Sequence, residues 1–211
     1  IDRGGDFVMR ATLSITLPLA ATLVLAGTAL AESASHDKHA AHRAAMQNTR
    51  YEATTEHYSV PDVQLLDQSG TRVDLQALLD TDGPLALNFI FTTCTTICPV
   101  MTATFAQMRR ELGDSGDDLR LVSISIDPEY DRPEQLRAYA EQFRAGAGWE
   151  FLTGDSEDIV RVLKSFDSYA GSKMNHQPVT LLKNPGSSSW TRIDGLASGK
   201  DLAHEVAERL L

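Results

Sequence analysis

The chain has 211 residues, 42% hydrophobic and 23% charged, an ordinary balance for one globular domain with appendages. Acidic residues outnumber basic ones 29 to 19, for a formal charge of -10. With that charge and no basic cluster, nucleic acid and anionic lipid are excluded as expected partners.

An export signal is read from Met9, the first methionine. Arg10 supplies a short positive region, Ala11 to Ala26 an apolar one, and Ala29-Leu30-Ala31 a small-x-small cleavage site. Residues 1–8 read as translation from an upstream start or a cloning remnant, and 9–31 as the signal peptide. The apolar stretch is short for a span and contains Pro18, so cleavage after Ala31 is expected rather than retention as an anchor. No cysteine follows it to take a lipid. The mature chain is therefore expected in the periplasm, where a cysteine pair oxidises unless a reductant or a metal holds it.

Residues 32–56 are polar, lack an apolar face and read as a linker. They carry His36, His39, His42 and Met46, which a helix would align on one face as loose metal ligands. The plainer reading is a solvated tether. The folded domain is expected over 57–211.

Within it, Val63–Leu66 and Val73–Leu75 read as a hairpin around Asp67-Gln68-Ser69-Gly70, with a helical turn over Ala77–Asp80. Leu85–Phe91 is a nearly continuous apolar run, the pattern of a strand buried on both faces. Met101, Phe105, Met108 and Leu112 then recur at helical spacing until Gly113. Leu119–Ile126 is a second strong strand. Pro133 starts a helix that buries Leu136, Tyr139, Ala140 and Phe143. Trp149–Leu152 is a short strand. Asp155 or Ser156 caps a helix carrying Ile159, Val162, Leu163 and Phe166. Val179–Leu182 and Trp190–Ile193 close as a strand pair, and Leu202, Val206 and Leu210 mark a last helix. This order predicts an α/β sandwich. The cysteines between the first long strand and its helix point to a thioredoxin-like fold, with the hairpin and the middle strand–helix as additions.

Both cysteines of the chain lie in Cys94-Thr95-Thr96-Ile97-Cys98-Pro99. Proline is tolerated in a first helical turn, so Pro99 puts Cys98 at or just before a helix start, where free N–H groups and the helix dipole favour a thiolate. Two thiolates suit copper(I), zinc or an iron–sulfur cluster, but zinc and clusters usually take four protein ligands. Two sulfurs and one imidazole fit copper better. His176, just before the Val179 strand, is the best third ligand, although a histidine of a surface loop is its plainer reading. A structural disulfide between Cys94 and Cys98 also stays open, but so small a loop gains little entropy from closure.

The segment Asn88-Phe89-Ile90-Phe91-Thr92-Thr93-Cys94-Thr95-Thr96-Ile97-Cys98-Pro99-Val100-Met101 resembles the signature of the SCO/SenC family. Ser125-Ile126-Asp127-Pro128-Glu129-Tyr130-Asp131-Arg132-Pro133-Glu134 resembles its acidic second block. Trp149 to Gly154, His176, and Trp190 to Gly195 follow in the expected order, so the resemblance covers about residues 60–211. It implies a periplasmic, thioredoxin-like metallochaperone that binds a copper ion through Cys94, Cys98 and His176. Its implied partner is the copper-centre subunit of cytochrome oxidase, or another periplasmic copper or thiol protein. Asp127 and Asp131 are expected to shape the partner-facing loop, or else to serve as turn and N-cap residues.

Two features depart from the pattern. The family usually keeps a membrane anchor, whereas this signal looks cleavable. The second is Pro178, two residues past His176: thioredoxin-like oxidoreductases place a cis-proline before this strand, opposite their cysteines. The alternative function is therefore a thiol–disulfide oxidoreductase in which Cys94 attacks, Cys98 resolves and His176 is only an electrostatic neighbour. In that reading Cys94 and Cys98 are the catalytic pair.

Overall fold

The computed structural model describes residues 51–211. The export signal, the cleavage site after Ala31, and His36, His39, His42 and Met46 lie outside the described residues. The strands are β1 (Tyr51–His57), β2 (Gln64–Leu66), β3 (Arg72–Asp74), β4 (Leu85–Ile90), β5 (Arg120–Ser125), β6 (Trp149–Leu152), β7 (Val179–Lys183) and β8 (Ser189–Gly195). The helices are α1 (Leu75–Leu79), α2 (Ile97–Leu112), α3 (Pro133–Gln142), α4 (Ser156–Ser165) and α5 (Gly199–Arg209).

Six strands form one sheet in the order β1-β8-β7-β4-β5-β6. β4, β5 and β6 run parallel, while β7 and β8 are antiparallel to their neighbours. The β4–α2–β5 unit followed by β7–β8–α5 is the thioredoxin-like plan. The β2–β3 hairpin and the middle strand–helix, β6 with α4, add to it, as the sequence predicts. The N-terminal boundary differs. Residues 51–56, read as linker, form most of β1, which pairs along its whole length with β8 from Tyr51↔Gly195 to His57↔Ser189. Its sequence, YEATTEH, has no continuous apolar face, because an edge strand needs only one protected side.

The sheet divides the core into two layers. Ala86, Ile90, Leu121 and Phe151 meet Phe105 and Met108 of α2, Leu136 of α3, and Leu202 and Val206 of α5. On the other side Leu87, Phe89, Val122 and Leu181 meet Leu75 and Leu79 of α1, Ile159 and Val162 of α4, and Phe166 just past it. Cys94 and Cys98 belong to the first layer.

Local chemistry fixes the element ends. The hairpin turn is organised by Asp67, whose Oδ1 accepts the N–H groups of Ser69 at 2.8 Å and Thr71 at 2.9 Å, and Gly70 takes φ +84°. Helix α2 ends at Gly113, φ +57°, with Arg109 and Arg110 in its last turn. The Arg109 guanidinium donates to the carbonyls of Leu119 and Gly148, each at 3.1 Å, and so ties α2 to the segments entering β5 and β6. Asp155 sits at the N-cap of α4 as predicted, but its side chain makes no capping bond. Helix α5 has a full capping box between Ser198 and Asp201. Replacing Ser198 with Ala is expected to cost about 1 kcal/mol, read as a lower urea midpoint at unchanged slope.

Candidate metal centre

Strand β4 ends at Ile90, and the chain turns at once: the Cys94 N–H donates to the Phe91 carbonyl at 3.2 Å. Thr96 is the N-cap of α2, Ile97 the first helical residue and Cys98 the second. Pro99 is the third, where its missing N–H would have had no helical partner. The turn folds Cys94 back over the helix start, and the Cys98 N–H donates to Cys94 Sγ at 3.4 Å. The Thr96 hydroxyl lies 3.7 Å from the same sulfur. Both cysteines are free thiols; Cys94 is 9% exposed and Cys98 wholly buried.

Their acidities diverge. Burial alone would raise the Cys94 pKa, but the Cys98 and Thr96 N–H groups outweigh it and bring the thiol down to about 7. Cys98 is pushed up to about 12, chiefly by burial and further by its hydrogen bond to Cys94. The helix start therefore stabilises a thiolate, as the sequence predicts, but on the other cysteine. Cys98 donates its N–H to its neighbour's sulfur, so the expectation that Cys98 is the favoured thiolate is corrected to Cys94. Beneath them, the Thr102 hydroxyl donates to the Cys98 carbonyl at 2.9 Å. That commits its proton, so the Tyr139 hydroxyl, 2.9 Å away, donates to Thr102 and links α3 to the cysteine turn.

His176 follows a 3-10 turn, Lys173–Asn175, which Ser172 caps. The β4–β7 register ends at Asn88↔Thr180, and the next carbonyl on β4, Phe89, is taken by His176 Nε2 at 3.3 Å. A carbonyl only accepts, so Nε2 carries the proton and the lone pair is on Nδ1. The ring stands edge-on to Phe89, with centroids 6.3 Å apart. Burial lowers the His176 pKa against the opposing effect of that hydrogen bond, which keeps the imidazole neutral at pH 7. The structure thus brings Cys94 and Cys98 together and holds His176 separately at the end of the same strand. Among the described residues, no three histidine, cysteine or acidic side chains are gathered in a metal-binding cluster. The donor set nevertheless suits a soft ion: two adjacent sulfurs, and a neutral imidazole with one nitrogen free.

The acidic turn does more than the sequence reading allots to it. Asp131 is fully buried and is not an N-cap; that position of α3 belongs to Arg132. Its carboxylate accepts the Thr92 N–H at 3.0 Å, the Thr92 hydroxyl, and the Ser125 hydroxyl at 2.6 Å. It therefore pins the start of the cysteine loop to the end of β5. Asp127 forms an ion pair with Lys173, whose ammonium also lies 5.6 Å from the centre of the Phe91 ring. Sequence reasoning gives Lys173 no role and reads Tyr139 only as a buried side chain of α3, not as a partner of Thr102. Thr92 and Ser125, hydroxyls at the ends of two apolar strands, are the one available sign of an internal acceptor.

A β–α–β unit with a dithiol between strand and helix, completed by β–β–α, defines a thioredoxin-fold dithiol protein. The SCO1/SenC family model matches residues 51–211, and the chain belongs to that family. It is 39% identical over 114 residues to the SCO1 protein homolog of Bacillus subtilis, a match covering 52% of this chain and 58% of that protein. The chain spans about half the length of the curated relatives it matches. BsSco, described as a member of the Sco family of cytochrome c oxidase assembly proteins with a disulfide switch, superposes with a TM-score of 0.61 at 30% identity, covering 74% of this chain and 95% of BsSco. Arabidopsis thaliana ScoI, solved with copper bound, also gives 0.61, at 27% identity over 71% of this chain and 96% of that one. Among the described residues, no helix is long and apolar enough to cross a membrane.

Proposed function

We propose that this chain is an exported copper-binding metallochaperone that assists assembly of the copper centre of cytochrome oxidase, with Cys94, Cys98 and His176 as its ligands. The observation that carries the reading is the reduced Cys94–Cys98 pair: two free thiols at the start of α2, the Cys98 N–H donating to the Cys94 sulfur, which is about half thiolate at pH 7. Family membership, the copper on Arabidopsis ScoI and the assembly role ascribed to BsSco support it. The export signal read from Met9 supports a periplasmic location, with the copper-centre subunit or another periplasmic copper or thiol protein as partner.

In this reading copper is cargo. Cys94 meets it as a thiolate, and Cys98 gives up its proton on binding, so uptake releases acid. His176 is neutral and offers Nδ1 while Nε2 stays on the Phe89 carbonyl. Release to a partner's thiols needs only exchange of one soft ligand for another.

A second reading, thiol–disulfide exchange with Cys94 attacking and Cys98 resolving, is favoured by one observation, the separation of the two thiol acidities. Copper titration of the reduced protein, with and without His176→Ala, tests both. A thiolate-to-copper absorption band is expected, and His176→Ala should weaken binding by at least the 10–100-fold that loss of a supporting residue typically costs. Absence of the band from the reduced wild type defeats the metal reading. An unchanged affinity in His176→Ala, with dithiol exchange intact, leaves the oxidoreductase.

A further inference from the structure

The segment that carries His176 is fastened by a lysine. Gly171, φ +74°, turns the chain into Ser172, and the short 3-10 turn that follows is closed by the His176 N–H donating to the Lys173 carbonyl at 3.3 Å. A shift of Lys173 is therefore passed directly to the backbone of His176. The Lys173 ammonium pairs with Asp127 and lies over the ring of Phe91, the residue from which the cysteine loop departs. Asp127 is a rigid anchor. Its carbonyl accepts the N–H groups of Tyr130 at 3.1 Å and Asp131 at 2.8 Å, and its own N–H donates to Ser125 Oγ at 3.0 Å. Ser125 in turn donates to Asp131, which receives Thr92. An unbroken series of polar contacts thus runs from the imidazole segment through Lys173 and the acidic turn to the residue two before Cys94.

We propose that Lys173 is a positioning residue for His176: its contacts with Asp127 and Phe91 hold the imidazole at the end of β4 in register with the cysteine loop. This rests on the reading of His176 as the third ligand. An isolated exposed ion pair would do little. This one differs because the Asp127 side chain is only 12% exposed and because the lysine also covers an aromatic face. Without the Lys173 side chain the segment keeps its own turn bonds, the Ser172 cap and the bond from His176 to the Phe89 carbonyl, but loses its tie to the acidic turn and the Phe91 ring. The ligand would then have to be ordered at the moment of binding, which lowers affinity without changing any ligand atom.

The test compares Lys173→Gln, Lys173→Arg and Asp127→Asn in the reduced protein, with circular dichroism as a folding control. In the metal-free protein, Lys173→Gln should move the His176 ring-proton resonances away from their Phe89-shifted positions and speed amide exchange over residues 172–177. It should weaken copper binding about 10-fold, as other supporting residues do. Asp127→Asn should match it, and Lys173→Arg should restore most of both signals. Added to His176→Ala, Lys173→Gln should cost nothing further. Unchanged His176 resonances and exchange in Lys173→Gln overturn the proposal, as does an equal loss of affinity in the His176→Ala background. If the wild type binds no copper, the ligand reading fails on its own, and the resonance and exchange arms still decide whether Lys173 places the ring.

Discussion

Replacing Cys94 with Ser is expected to remove nearly all thiol reactivity from the reduced, folded protein, whereas replacing Cys98 removes very little. With pKa values of about 7 and about 12, the gap is 12 − 7 = 5 units. At pH 7 about half of Cys94 is thiolate, against roughly one part in 10^5 of Cys98. A thiolate of higher pKa is the better nucleophile, and a Brønsted slope of 0.4–0.5 returns about 100- to 300-fold of that deficit. Cys94 is left ahead by roughly 150- to 500-fold before access is counted, and Cys98 is the wholly buried thiol. The rate at Cys94 should rise tenfold per pH unit below about 7 and level off above it, because protonation removes the nucleophile. Ser at position 98 keeps the N–H that stabilises the Cys94 thiolate, so the profile should survive that change. Iodoacetamide kinetics with mass-spectrometric assignment measure all of this. Modification of Cys98 first, or a midpoint near the ordinary thiol value, would sink the assignment.

That asymmetry marks where sequence reasoning reaches its limit. Strand β4 is legible because burial on both faces demands a nearly continuous apolar run, β5 because Leu121, Val122 and Ile124 fall in one short segment, and α2 because Met101, Phe105 and Met108 share one face. The location of the dithiol follows from those two elements alone. Which sulfur receives the free N–H does not, since it depends on how the Thr92–Thr96 turn folds back over the helix start. The sequence locates the helix dipole but not the sulfur that benefits from it.

Long-range polar contacts are equally hidden. His176 finds the Phe89 carbonyl 87 positions earlier because the β7 register stops one residue short, which no local pattern records. β1 is invisible for a related reason: its ladder partner β8 lies over 130 residues away, and its own residues are only half-buried or exposed, with the alternation broken at Ala53 and Thr54. The acidic block reads as surface because two aspartates beside prolines usually make turns. Asp127 does make one. Asp131, four residues on, points inward instead.

Asp131 is for that reason the residue whose loss should unsettle the domain most for a change near the site. Asp131→Ala leaves the Ser125 hydroxyl without its acceptor in a buried setting, and strips two more bonds from Thr92, which water can partly replace. At about 1–3 kcal/mol for each buried group left unpaired, and less for the half-buried one, the cost should be about 3 kcal/mol. For a domain of this size that is a fall in Tm of roughly 6–12 °C. Asp131→Asn keeps one carbonyl oxygen for the Ser125 hydroxyl and the Thr92 N–H, and the Thr92 hydroxyl can rotate to accept from the new amide. It should cost about 1 kcal/mol. Calorimetry and urea titration distinguish the two variants, and an Ala variant as stable as Asn would mean that water satisfies these donors. The loss should also reach the dithiol. Thr92 is two residues from Cys94, and once freed it no longer holds the turn that presents the Cys98 N–H to the sulfur. Asp131→Ala should therefore raise the midpoint of Cys94 alkylation from about 7 toward the ordinary thiol value, while Asp131→Asn leaves it in place.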